Sequence, residues 1–126
     1  MASILIVEDS PDNMKLFRTL LELKGHAVTG IPGGEELFAT LDAGRPDVVL
    51  MDIQMPGKDG FELLAELRAS QYHDLRVVAL TAHAMAGDRD KALSAGFDGY
   101  ITKPIDIRLF PEQVADALAG NPPRQQ

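Results

Sequence analysis

The chain has 126 residues, no cysteine and a formal net charge of −7. That length suits one ordinary domain with a core of its own, and the lack of Cys removes disulfides and thiolate chemistry. The acidic balance disfavours a nucleic-acid partner, which needs a Lys/Arg-rich face, and no segment has the apolar run of a signal peptide or membrane span, so a soluble cytoplasmic protein is expected.

Ile4-Leu5-Ile6-Val7 is apolar on consecutive residues, the pattern of a strand whose two faces are both covered by helices. Ser10 as cap and Pro11 at the first helical position open a helix lined by Leu16, Leu20, Leu21 and Leu23 and stopped at Gly25. Ala27-Val28 reads as a second strand, followed by a helix over 35–41 with Gly44 as its stop. Val48-Val49-Leu50-Met51 and Val77-Val78-Ala79-Leu80 repeat the continuous apolar pattern, with a helix over 61–68 between them. A helix over 84–95 stopped by Gly96, a strand at Gly99-Tyr100-Ile101 and a helix over 109–119 stopped by Gly120 complete the series. The first, third and fourth strands are expected at the centre. Five βα units predict an α/β fold, a doubly wound five-stranded parallel sheet with five helices, as one domain over 1–120. Residues 121–126 are polar and helix-breaking and read as a tail.

Sheets of this kind bind ligands beyond the carboxyl ends of their strands. The polar residues there are Glu8 and Asp9 after the first strand, Asp52 at the end of the third, Thr81 at the end of the fourth and Lys103 past the fifth. Carboxylates brought together repel unless a cation intervenes. Mg²⁺, which takes one or two protein carboxylates, water and a phosphate oxygen, fits that donor set. With Lys103 it would neutralise the cluster, leaving a site where a carboxylate could attack a phosphoryl group in line.

Four strings carry a family resemblance: Val7-Glu8-Asp9, Met51-Asp52-Ile53-Gln54-Met55-Pro56 with Asp59-Gly60, Ala79-Leu80-Thr81-Ala82, and Gly99-Tyr100-Ile101-Thr102-Lys103-Pro104. In register with five βα units, they resemble the receiver domains of bacterial response regulators over residues 3–119, with the (βα)5 flavodoxin-like fold. The resemblance implies Asp52 as phosphoacceptor, Asp9 as direct Mg²⁺ ligand, Glu8 as its partner acting through water, and the Gln54 carbonyl in the metal shell. Thr81 and Lys103 would sense the phosphate, Tyr100 would turn inward as Thr81 moves, and the Lys103-Pro104 bond would be cis. Glu8 stands where many members carry Asp, which lengthens the reach to metal-bound water. The run from Glu8 to Phe17 is most similar to stand-alone and phosphorelay receivers.

The family cycle implied is transfer of a phosphoryl from a sensor histidine kinase or histidine phosphotransfer protein. Rearrangement of the fourth helix, fifth strand and fifth helix would then present a surface to a downstream protein target. Such a protein is a switch, catalysing only its own phosphorylation and dephosphorylation. His83 and Gln54 would line the approach to the phosphate and tune its lifetime. Simpler readings exist for single residues: Tyr100 also fits half-buried packing, and Glu8 and Asp9 also fit a helix N-terminus. A flavin carrier would need a small, hydroxyl- and Gly-rich loop where Glu8 and Asp9 stand, and an aspartyl-phosphate phosphatase usually has its nucleophile after the first strand. A receiver serving only for docking is the third alternative, against which every functional position is occupied.

Overall fold

The computed structural model describes residues 2–55, 59–82 and 86–125, with residues 86–89 described by backbone alone. Five parallel strands, β1 (Ser3–Val7), β2 (Ala27–Ile31), β3 (Val48–Asp52), β4 (Val77–Thr81) and β5 (Gly99–Thr102), form one sheet in the order β2-β1-β3-β4-β5. The helices are α1 (Pro11–Glu22), α2 (Leu37–Ala43), α3 (Gly60–Arg68), α4 (Ala86–Ala95) and α5 (Phe110–Leu118). The chain steps outward from β1 to β2 and then crosses back to β3, so the winding reverses between β1 and β3.

Strand residues send alternate side chains to opposite faces, and each face acquires its own core. Ile4, Ile6, Val48, Leu50, Val78, Leu80 and Ile101 meet Phe17 and Leu21 of α1 and Phe110, Val114 and Ala117 of α5. Leu5, Val7, Val49, Met51, Val77 and Ala79 meet Leu37 and Leu41 of α2, Leu63, Leu64 and Leu67 of α3 and Ala92 of α4. This double cover explains the unbroken apolar runs of β1, β3 and β4, which are the three inner strands.

Several local expectations need correction. The buried stripe of α1 is Phe17 and Leu21, flanked by partly buried Met14 and Leu20. Leu16 is 37% exposed and Leu23, beyond the last turn, is 77% exposed. Counting leucines misled because the aromatic Phe17, one residue on, faces the sheet and packs 5.3 Å from the Phe110 ring. β2 runs three residues further than its apolar pair, since parallel pairing of Thr29 and Gly30 with Leu5 and Ile6 needs backbone rather than apolar side chains. The second helix starts as a 3-10 turn at Gly34–Glu36 before α2 begins, and Gly44 ends it in extended rather than left-handed conformation. Gly25, Gly96 and Gly120 do end their helices at positive φ. Residues 84 and 85, expected to start the fourth helix, lie outside the described residues, as do Pro56 and His83.

Candidate functional site

Register delivers the acidic edge. Val7 pairs with Met51 across β1 and β3, so Glu8 leaves its strand beside Asp52. Asp52 pairs with Leu80 and Thr81 with Thr102, which sets Lys103 at the same end of the sheet. Carboxylate oxygens of Glu8, Asp9 and Asp52 lie within 4.8 Å of one another. Glu8 and Asp52 are 2% and 1% exposed, whereas Asp9 is open to solvent.

The two buried carboxylates are fully engaged. Lys103 Nζ donates to Glu8 Oε1 at 3.0 Å and to Asp52 Oδ2 at 3.1 Å. The Ser10 N–H donates to Glu8 Oε2 at 3.2 Å, and the Gln54 N–H donates to Asp52 Oδ1 at 3.0 Å. Ser10 also caps α1, its Oγ accepting from the Asn13 N–H. One residue therefore starts the helix and orients Glu8. The Gln54 side chain accepts from the Ala82 N–H at 3.3 Å, tying the loop after β3 to the end of β4.

Electrostatics record a surplus of negative charge. Burial, reinforced by the neighbouring Asp52, pushes the Glu8 carboxyl up to about 7. Burial alone would lower the Lys103 amine, but its bonds to Glu8 and Asp52 outweigh this and hold it above its ordinary value. With Glu8 ionised, three carboxylates against one ammonium would leave two negative charges uncompensated at close range, the repulsion that raises Glu8. A hard divalent cation with oxygen preference fits that deficit and that donor set.

Thr81 is 4% exposed at the end of β4, and its carbonyl accepts from the Lys103 N–H at 2.7 Å. The Lys103-Pro104 bond is cis. Tyr100 is not at the acidic edge: it pairs with Ala79 and lies 8% exposed in the core on the α2, α3 and α4 side of the sheet. A hollow of 300 Å³ opens next to Lys103 between α1 and the loop after β5, lined by Asn13, Leu16, Phe17, Ala82, Pro104 and Ile105. Leu16, one of the leucines that line α1, lies on this surface.

Two contributors escaped the sequence reading. The Ser10 and Gln54 backbone N–H groups orient Glu8 and Asp52, and backbone donors carry no sequence signature. Gly60 is the second. Its N–H donates to the Ile53 carbonyl at 3.0 Å, and a Cβ there would fall 2.8 Å from Ile53 Cα and 3.0 Å from the Asp52 backbone carbonyl oxygen. The Asp59-Gly60 pair was visible, but not its closeness to Asp52.

Comparison with known proteins agrees with this geometry. The family described as "Response regulator receiver domain" matches residues 4–115. The sensor protein GacS of Pseudomonas syringae is 41% identical over 115 residues, which is 88% of this chain but only 13% of GacS. The polar-differentiation response regulator DivK of Brucella anthropi is 38% identical over 117 residues, 92% of this chain and 95% of DivK. The receiver domain of the sensor histidine kinase PA1611 from Pseudomonas aeruginosa PAO1, solved with magnesium coordinated in its active site cleft, superposes with a TM-score of 0.83. It is 31% identical, over 94% of this chain and 98% of that one. Among the described residues no helix is long and apolar enough to cross a membrane. The chain thus belongs to the response regulator receiver domain family of two-component signalling.

Proposed function

We propose that this receiver accepts a phosphoryl group on Asp52 in a Mg²⁺-dependent reaction and so switches the surface it offers to other proteins. The observation that carries the reading is the buried Asp52 carboxylate, aimed by the Gln54 N–H on one oxygen and by Lys103 on the other, with Glu8 and Asp9 alongside. Transfer breaks the P–N bond of a donor phosphohistidine and forms a P–O bond to Asp52; the imidazole is the leaving group. Glu8, Asp9, Asp52 and the Gln54 carbonyl would hold the metal, which when bound supplies positive charge to the transferring oxygens. Lys103, already bonded to Asp52, follows the developing charge as a second counter-ion.

Phosphorylation adds about 1.5 to 2 negative charges and new acceptor oxygens beside Thr81. The Thr81 hydroxyl answers that demand by donating, and its backbone follows. Because the Thr81 carbonyl accepts from Lys103, and β4 pairs with β5 through Tyr100, this motion is handed to the β5 side, where Tyr100 repacks. The donor is a sensor histidine kinase or a phosphotransfer protein, docking over the hollow beside Lys103 and exposed Leu16. The receiver unit spans 1–120, acts in the cytoplasm, turns over only its own phosphate and signals through a downstream protein rather than nucleic acid.

Incubation with Mg²⁺ and acetyl phosphate, read by intact mass, tests this. Wild type gains one phosphoryl; Asp52→Ala and metal-free wild type gain none. Equal gain in Asp52→Ala removes Asp52 as acceptor.

A further inference from the structure

β5 is an edge strand, and residues 121–125 double back against it and α5 instead of leading away. The reversal uses Gly120 at φ 88° and the Asn121 N–H bonded to the Asp116 carbonyl at 2.9 Å. Pro123 is buried in the notch left by Gly99, where an added Cβ would come within 2.5 Å of the proline Cδ. Gln113, 1% exposed, donates from Nε2 to the Arg124 carbonyl at 2.7 Å. The Arg124 guanidinium forks onto both Asp116 oxygens at 2.8 Å each, with Glu112 at 3.7 Å. Gln125 Nε2 closes the contact on the Tyr100 carbonyl at 3.0 Å.

These contacts define a groove with distinct chemistry: a notch sized for a proline ring, an amide that reads a backbone carbonyl, and an acidic pair that reads a guanidinium. The match is incomplete. Among the described residues Gln113 Oε1 is buried with no hydrogen-bond partner, a loss that a bound segment offering one more N–H would recover. None of the contacts requires the occupant to belong to the same chain, because each is made to a side chain or backbone group that any extended segment of the same sequence could meet.

We propose that the groove between β5 and α5 is a docking site for an extended Pro-Arg segment of a partner protein, and that residues 123–125 occupy it as a built-in competitor. Charge complementarity selects the occupant, since Glu112 and Asp116 reject an acidic segment and favour a basic one. The tail, tethered within a few residues, acts at an effective concentration on the order of millimolar. A partner must exceed that by fitting better, and the site stays closed to weak binders.

The test uses the full chain with Arg124→Glu, which sets like charges against Asp116 and Glu112 and opens the groove. The probe is a free peptide with the tail's own sequence, Asn-Pro-Pro-Arg-Gln-Gln. Amide NMR signals of Gly99 and the Gln113 side chain should move in the variant, return toward their wild-type positions as peptide is added, and stay unmoved by peptide in wild type, whose apparent affinity is at least about tenfold weaker. Restoring charge complementarity in cis with Asp116→Arg on Arg124→Glu should return the signals without peptide and shows that the variant remains folded. No peptide response at millimolar concentration in Arg124→Glu, or an equal response in wild type, overturns the proposal. So does a concentration-dependent dimer of the wild type, which would mean that tails exchange between copies.

Discussion

At the scale of single residues, the acidic cluster illustrates how burial and charge decide behaviour together. Glu8 reaches about 7 because it is desolvated and faces Asp52, even though Lys103 and the Ser10 N–H favour its ionised form. A carboxyl raised from 4.5 to about 7 on folding gives stability that is complete below 4.5 and is lost as pH rises through about 7. Urea unfolding of the metal-free protein should therefore show a lower midpoint at about pH 8 than at about pH 5 through this group, and Glu8→Gln should flatten that slope. Mg²⁺ must compete with the same proton, so its affinity, read by titration calorimetry, should rise across this interval in wild type. An unchanged slope in Glu8→Gln would mean that Glu8 is not the titrating group.

At the scale of elements, close approach and capping position the site. Gly60 lets α3 begin in contact with the backbone that follows Asp52, and the obstacle to a methyl group there is backbone, which cannot swing aside. Gly60→Ala should cost about 1–3 kcal/mol by overpacking, measured by denaturant titration, and should slow phosphorylation because the strain falls next to Asp52. Gly33, with nothing near its Cβ position, provides the control. The strap after α5 is governed by a different force. Arg124 holds the Asp116 carboxyl down to about 2 through the forked hydrogen bond, with Glu112 the other charged group facing the guanidinium. The contribution is present above 3.8 and disappears as pH falls through about 2. The Gln125 and Gln113 side-chain amides should lose their shifted NMR signals in that window, before any signal from β1 or β3 changes. Simultaneous loss would show that the strap is not a separate unit.

At the scale of the whole molecule, one sheet carries two cores that do not share side chains. Ile101 packs on the α1 and α5 side, and Ile31, at the opposite edge, packs on the α2 and α3 side. Ile101→Val and Ile31→Val should each cost about 0.5–1.5 kcal/mol. Their effects should add to within about 0.5 kcal/mol, as for sites without common partners. Strong coupling in the double variant would mean that the sheet transmits strain between faces. Arg68 joins the pieces on one side: it donates to the Gly96, His73 and Leu75 carbonyls and to Asp98, closing the end of α4 against α3 and the start of β4. Arg76 does the same for α5, donating to the Ala117 and Leu118 carbonyls.

The sequence determined the order of elements, the central place of β1, β3 and β4, and the chemistry at the strand ends, because apolar runs, capping residues and glycine stops are local signals. It also held the acidic, hydroxyl and ammonium residues in recognisable strings. Tertiary structure decided which of these meet and how. Parallel register sets Lys103 between Glu8 and Asp52 across 95 and 51 positions of sequence, a separation no local pattern encodes. It set Tyr100 in the core, turned Leu16 out to line the hollow by Lys103, and laid Pro123 in the notch of Gly99, since facing surfaces rather than composition determine which side a residue buries.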